Sequence, residues 1–242
     1  MTMPFGFWAV TFASQVAIIP LIVWWGRRFA GMSGSWALRL ALILVGWLAA
    51  VTALALSGVF EPRPGWPPVI GLAVVTPVVV GVLLLRSRPR APEASLAMLM
   101  GLQVLRVVGF EFVLAGRHGF LPRLFGDPAG LGDALIGITA PVVAFVVARR
   151  LSGWRGVATV WCVAGIADLV NAVFLGVTSS PGALQLFAGG PSTEPMTRLP
   201  LSLIPTFGVP LAVLGHIVAL QGLRASRPAS ELRAPLRPAP LS

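Results

Sequence analysis

Seven long apolar runs, separated by short polar connections, make up most of the chain. They are apolar on every face, which distinguishes them from amphipathic surface helices and from the alternating strands of membrane barrels. A helix needs ~20 such residues to cross the ~30 Å hydrocarbon layer. The pattern predicts an all-α polytopic membrane protein, a bundle of about seven transmembrane helices. The predicted spans are residues 5–25, 36–60, 69–85, 95–115, 128–148, 157–177 and 201–220.

The arginines predict how these spans are oriented. Connections 26–35, 86–94 and 149–156 each hold two or three arginines. Arginine-rich connections stay in the cytoplasm, so we expect the N-terminus outside and the C-terminus inside. The outer connection between the fourth and fifth spans departs from this rule because it also carries two arginines. We therefore expect one seven-helix transmembrane domain, residues 1–223, and a disordered Arg/Pro-rich cytoplasmic tail, residues 224–242.

Composition agrees with a membrane protein. The chain is 56% hydrophobic and 11% charged, with a mean hydropathy of +0.87, whereas soluble domains carry roughly 25% charged residues. The arginine placement accounts for the net charge of +10, so the lipid bilayer is the expected partner and nucleic acid is not. All basic residues are arginine and tyrosine is absent, which excludes a retinal Schiff base and tyrosine chemistry. Cys162, the single cysteine, is predicted to be a buried structural thiol.

Polar side chains interrupt the fourth and sixth spans at a similar depth. Arg106 and Asp168 each lie 11 residues from the start of an outward-running span, which is roughly 16 Å at the α-helical rise. An arginine at that depth costs at least ~2.5 kcal/mol and needs a partner. We therefore predict an Arg106–Asp168 pair. Gln103 and Asn171 are three residues away on the same helix faces and join the candidate binding site.

Two acidic residues near the outer ends of the spans extend this candidate site. Glu111 points roughly 140° away from Arg106, so we expect it to contact a basic group of the following connection: Arg117, Arg123 or His118. Asp133 is expected to pair with Arg106 or Arg123 from the outer side.

The connection before the fifth span has a capping pattern. Asp127 followed by Pro128 is typical of an N-cap and the first turn of a helix. We therefore expect the fifth helix to begin there.

The last span adds His216 and two prolines. His216 is predicted to be an interhelical hydrogen-bonding group or a proton relay. Pro205 and Pro210 predict a kink, and kinked helices often border binding sites in transporters. No His/Cys/Asp group has metal-ligand spacing, and the two histidines are predicted on opposite sides of the bilayer. Neither a metal nor another cofactor is expected.

Two stretches resemble those of uncharacterised bacterial multi-pass membrane proteins: GFLPRLFGDPAGLGDALIGITAP, from residue 119, and LPLSLIPTFGVPLAVLGHIVAL, from residue 199. The resemblance covers roughly the second half of the chain. It implies an integral protein of the bacterial cytoplasmic (inner) membrane. It implies no activity, so it assigns no site residue.

Three classes of function remain open at this point. The first is binding or transport of a small solute, an anion or a proton, through the Arg/Asp cluster. The second is a structural or partner-binding membrane subunit. The third is an intramembrane enzyme that uses Glu111 or Asp133 on a lipid-like substrate, although the chain offers no recognisable nucleophile–base set. The sequence leaves the substrate and the oligomeric state open.

Overall fold

Seven helices in an up-and-down arrangement form the protein in the computed structural model, which describes residues 5–86 and 90–225. These residues contain no β-strand. The prediction of an all-α bundle of about seven helices is therefore confirmed. The helices are α1 (Phe5–Arg28), α2 (Gly34–Leu56), α3 (Ile70–Arg86), α4 (Glu93–Arg117), α5 (Arg123–Ala148), α6 (Trp154–Thr178) and α7 (Ile204–Ala225).

Six of these helices are long and apolar enough to cross a membrane, and α3 is a shorter apolar helix of 17 residues. The protein is therefore a multi-pass membrane protein. Most of the proposed cytoplasmic tail, residues 226–242, lies outside the described residues.

The arginine-rich end of the bundle, where α1 and α3 end and α4 and α6 begin, is fixed by polar contacts. The Glu93 carboxylate forms ion pairs with Arg150 at 2.8 Å and with Arg155 at 3.4 Å. The Trp25 indole donates a hydrogen bond to the Ser95 carbonyl at 3.0 Å. Because Glu93 begins α4 and its two partners flank the start of α6, these contacts hold α4, α5 and α6 at one level.

Helix α5 lies at the centre of the bundle, against α4 and α6. Its glycines allow the close approach to α4. A Cβ atom at Gly126 would meet the Phe112 carbonyl, and one at Gly137 would meet the backbone of Val107. Small residues are the usual means by which membrane helices pack at short range.

The middle of α4 is a 3-10 helix, Leu102–Phe110. A 3-10 helix has three residues per turn, so residues three apart stack above one another. The stacked face consists of Gln103, Arg106 and Gly109, and all three are buried. The 3-10 segment therefore turns Gln103, Arg106 and Gly109 toward the interior of the bundle, where α5, α6 and α7 lie.

A cover segment, residues 179–203, closes the end of the bundle opposite the arginine-rich end. It contains a short 3-10 turn, Glu194–Thr197. Thr193 donates a hydrogen bond to the Gly176 carbonyl of α6 at 2.6 Å. Met196 is buried in the cluster that contains Phe112 and Phe125. Helix α7 then begins with a π-helical turn, Ile204–Gly208, that contains Pro205, so the predicted distortion is present and takes the form of a wider turn.

The predicted start of the fifth helix is wrong. Helix α5 begins at Arg123, five residues before Pro128, and Asp127 is therefore inside the helix and is not its N-cap. Extended Pro122 precedes the first turn instead. Asp127 pairs with Arg123 at 2.9 Å across one turn. The capping pattern gave the wrong helix start because a membrane helix tolerates an internal proline when its neighbours compensate for the lost hydrogen bond.

Candidate functional site

Arg106 is bound by two carboxylates in the interior of the bundle. Its Nε donates to Asp133 Oδ1 at 2.7 Å, and its Nη2 donates to Asp168 Oδ2 at 2.5 Å. Arg106 is only 8% exposed. The predicted Arg106–Asp168 pair is confirmed, and of the two partners expected for Asp133 the structure has Arg106. One guanidinium therefore joins α4, α5 and α6.

The remaining nitrogen of Arg106 faces α6 and α7. Nη1 lies 3.3 Å from the Gly165 carbonyl and 3.2 Å from Nε2 of His216. With the two carboxylate bonds, these contacts use four of the five N–H donors of the guanidinium. We refer to Arg106, Asp133, Asp168 and His216 as the Arg106 cluster.

His216 is a neutral hydrogen-bond acceptor in this arrangement. A guanidinium has no acceptor atom, so Nε2 of His216 must accept and its proton must be on Nδ1. That Nδ1 atom is buried and has no hydrogen-bond partner among the described residues. The Trp161 ring packs edge-on against the imidazole, with centroids 5.2 Å apart. The cluster thus contains one fixed positive charge and two carboxyl groups.

The three charged groups lie at one depth. Counted from the arginine-rich end, Arg106 is about 22 Å along α4, because five of its steps have the longer 3-10 rise. Asp168 is about 21 Å along α6 and Asp133 about 22 Å along α5 by the α-helical rise. The predicted shared depth is correct, but the groups lie further from the arginine-rich end than the sequence indicated.

A glycine faces each partner of Arg106. A Cβ atom at Gly132 would overlap the Asp168 carboxylate, one at Gly109 would overlap Asp133, and one at Gly165 would overlap the His216 ring. The cluster therefore fits only because three helices lack a side chain at these positions. Sequence reasoning did not identify these glycines as part of the site.

Three predicted site residues lie outside the Arg106 cluster: Gln103, Asn171 and Glu111. Gln103 donates to the Ala212 carbonyl of α7 at 3.2 Å, so it connects helices beside the cluster. Asn171 is exposed on α6, and its side chain has no hydrogen bond to another described residue. Three α-helical steps leave it about 60° away from Asp168, which is enough to turn it out of the bundle.

The expected partners of Glu111 are also wrong. Thr11 of α1 donates to Glu111 Oε2 at 2.6 Å, whereas Arg123 pairs with Asp127. Thr11 is fully buried. A lone threonine in an apolar span gives no signal that would have identified it from sequence.

A narrow apolar cavity of about 60 Å³ extends from the cover segment to Asp133. Among the described residues that line it, Asp133 is the one charged side chain. Phe112 and Phe125 contribute rings with centroids 5.4 Å apart, and Met196 packs beside them. Hydroxyl groups line the part nearer the cover segment: Ser180, Thr193 and Thr197. The cavity therefore joins one member of the Arg106 cluster to an aromatic and aliphatic chamber.

Within residues 5–86 and 90–225, no group of three His, Cys, Asp or Glu side chains is placed to hold a metal ion. Cys162 is a free thiol buried in an apolar cluster with Trp161 and Ala158, as expected of a structural cysteine.

Comparison with known proteins gives a family without an assigned function. No curated protein and no solved structure matches the chain. Residues 63–224, 162 of the 242 in the chain, match a family described as a domain of unknown function, DUF8737. The matched region includes α3 to α7 and every member of the Arg106 cluster. The chain therefore belongs to the DUF8737 family, in agreement with the resemblance to multi-pass membrane proteins of unknown function.

Proposed function

We propose that the protein binds a small, mainly apolar organic cation and exchanges it for a proton across the membrane. The observation that carries this proposal is the position of Asp133. The same carboxylate lines the apolar cavity and binds Arg106. A solute in the cavity would thus act directly on the charge balance of the buried cluster.

The charge of the cluster favours a cation over an anion. Four of the five Arg106 donors already have protein acceptors, and two of these are carboxylates. An anion would have to displace an aspartate at 2.7 Å or closer and then lie beside its negative charge. A cation would instead meet the surplus carboxyl group that the guanidinium does not neutralise.

The walls of the cavity suit a solute with a large apolar surface. Small-molecule sites typically occupy roughly 300–1,000 Å³ and combine apolar walls with a few polar groups. The cavity has this composition, and its volume of about 60 Å³ means that its walls must move apart to admit such a solute. The rings of Phe112 and Phe125 can face a cation, and such contacts strengthen when water is excluded.

Proton exchange follows from the same charge count. When the cavity holds no cation, a proton on one of the two aspartates leaves one carboxylate to balance one guanidinium. When a cation binds beside Asp133, that proton is released and the net charge of the site is unchanged. Cation binding and proton release are coupled because an uncompensated charge inside the membrane is costly, and the exchange avoids burying one.

We further propose the orientation and location that the arginines favour. The arginine-rich end would face the cytoplasm of a bacterial inner membrane. The cavity and the cover segment would then lie in the outer half of one seven-helix domain, residues 1–223, and the solute would enter from outside.

The proposal predicts solute-driven proton movement in reconstituted vesicles. Vesicles with an acidic interior and a trapped pH-sensitive dye receive benzyltrimethylammonium, a permanent and poorly permeant cation, on the outside. We expect the interior to become alkaline as protons leave. Asp133→Asn and Asp168→Asn should abolish the response but retain the fold, because each leaves Arg106 with one carboxylate.

The matched control is Asp127→Asn, which changes an aspartate of the same helix that pairs with Arg123 outside the cluster. It should transport like the wild type, and benzyl alcohol, a neutral aromatic, should cause no response. The carrier proposal is wrong if wild-type vesicles behave like protein-free vesicles or like those with Asp133→Asn. Equilibrium dialysis of the cation against purified protein then tests whether binding remains without transport.

One observation favours a structural role as the second candidate. The donors of Arg106 reach α5, α6 and α7 from α4, so the cluster specifies which helices meet. A purely structural cluster predicts that the wild-type protein binds no cation. The dialysis experiment separates the two candidates.

A further inference from the structure

A second intramembrane carboxyl group lies on the opposite side of the α4–α5 contact from the cavity. An open groove of about 720 Å³ runs between α1, α4 and α5. Its lining is apolar apart from Glu111, which is its one charged side chain among the described residues. Phe112 and Asp133 face the cavity, whereas their chain neighbours Glu111 and Ala134 line the groove. The two spaces share no lining residue.

Glu111 is held by one of its two oxygens. Thr11 donates to Oε2 at 2.6 Å, and Oε1 has no hydrogen-bond partner among the described residues. Thr11 is itself fully buried in α1. The threonine therefore engages one oxygen of a carboxyl group that lines the groove, and the second oxygen is left without a partner among the described residues.

The depth of Glu111 places this oxygen within reach of molecules dissolved in the bilayer. Glu111 lies six residues before the end of α4 at Arg117, about 9 Å along the helix axis. The groove continues past it to Val107 and Ile138, deeper in the span. A chain-like molecule can thus lie in the groove with its head at Glu111 and its tail toward the bilayer centre.

We propose that this groove is a binding site for a long-chain alkyl ammonium ion that enters from the membrane. In an apolar groove a carboxyl group keeps its proton until a cation lies beside it, and no basic side chain of the described residues lines the groove. An ammonium group can donate directly to the free oxygen, and a charge-assisted bond of this kind is stronger than a neutral one. The aliphatic walls contact the chain. The inference rests on residues outside the cavity and is independent of the proposed exchange activity.

Carbodiimide labelling of the wild-type protein in phosphatidylcholine vesicles tests this site. Dicyclohexylcarbodiimide partitions into bilayers and adds to a protonated carboxyl group. The carboxyl oxygen bonds to the central carbon and the acid proton moves to a nitrogen, so no atom is lost. We expect an adduct at Glu111 by peptide mass spectrometry. Dodecylammonium should slow its formation about tenfold, the scale of one charge-assisted bond.

Dodecanol is the matched competitor because it has the same chain with a neutral head, and it should slow labelling far less. Glu61 and Glu194, which are half-exposed at the cover-segment end, serve as internal references that the amine should not protect. Glu111→Gln should carry no adduct at this position. The proposal is overturned if Glu111 remains unlabelled, or if dodecanol and dodecylammonium protect it equally.

Discussion

Replacing Arg106 with methionine is expected to destabilise the protein far more than the loss of any exposed ion pair. The side chain is 7% exposed and binds Asp133 and Asp168. Methionine retains much of the volume but leaves two carboxyl groups without a cation. Removing one partner from a buried ion pair typically costs about 3–5 kcal/mol. We expect a large fall in the thermal unfolding temperature of the detergent-solubilised protein.

A compensating variant shows whether Arg106→Met loses stability through unpaired charges or through poorer packing. Arg106→Met combined with Asp133→Asn and Asp168→Asn removes the whole set of charges, and stability should return toward that of the wild type. Arg198→Gln is the control, since Arg198 forms exposed pairs with Glu61 and Glu194 that should contribute about 0–1 kcal/mol. If the triple variant is no more stable than Arg106→Met, the loss arises from packing and the electrostatic account fails.

The central ion pair could be predicted from sequence because it follows from depth. An arginine and an aspartate at equal distances along two parallel spans had to find partners, and few carboxylates were available. Asp133 was expected only from the outer side, as a partner of either Arg106 or Arg123. The apolar runs likewise predicted seven helices, because length and hydropathy are sufficient to recognise a membrane span. These inferences depend on one-dimensional counting and not on side-chain direction.

The wrong predictions come from structural properties that counting residues along the chain does not capture. Helices α4 and α6 begin two and three residues before the predicted spans, and the 3-10 segment of α4 adds to the rise, so depth was underestimated. Asn171 shares only an approximate helix face with Asp168 and is exposed. Glu111 bonds to Thr11, a contact between helices that are 100 residues apart in the chain. Local spacing contains no information about such pairs.

The cavity is the part of the site that was least accessible from sequence. It depends on the cover segment, which the hydropathy pattern indicates only as a connection before the last span. Met196 from that segment packs against the Phe112–Phe125 pair, and the space above Asp133 results from this long-range packing. The chemistry of the solute could therefore be inferred only once the three-dimensional arrangement was known.

The second large effect is expected at a residue without a side chain. In Gly132→Ala, the new Cβ atom would overlap the Asp168 carboxylate. Asp168 must then leave Arg106, or α5 and α6 must separate. Overpacking of a tight interior typically costs about 1–3 kcal/mol. We expect a lower unfolding temperature and, under the proposed function, loss of cation-driven proton release.

A double-mutant cycle identifies the cause of that loss. Asp168→Ala removes the group that Gly132→Ala would strike, so adding the alanine at 132 to that variant should cost almost nothing further. Gly156→Ala is the control on α6, because a Cβ atom there meets no other group within 4 Å, and alanine favours the helix over glycine. Additive losses for the substitutions at 132 and 168 would show that Gly132 acts elsewhere and not by making room for the Asp168 carboxylate.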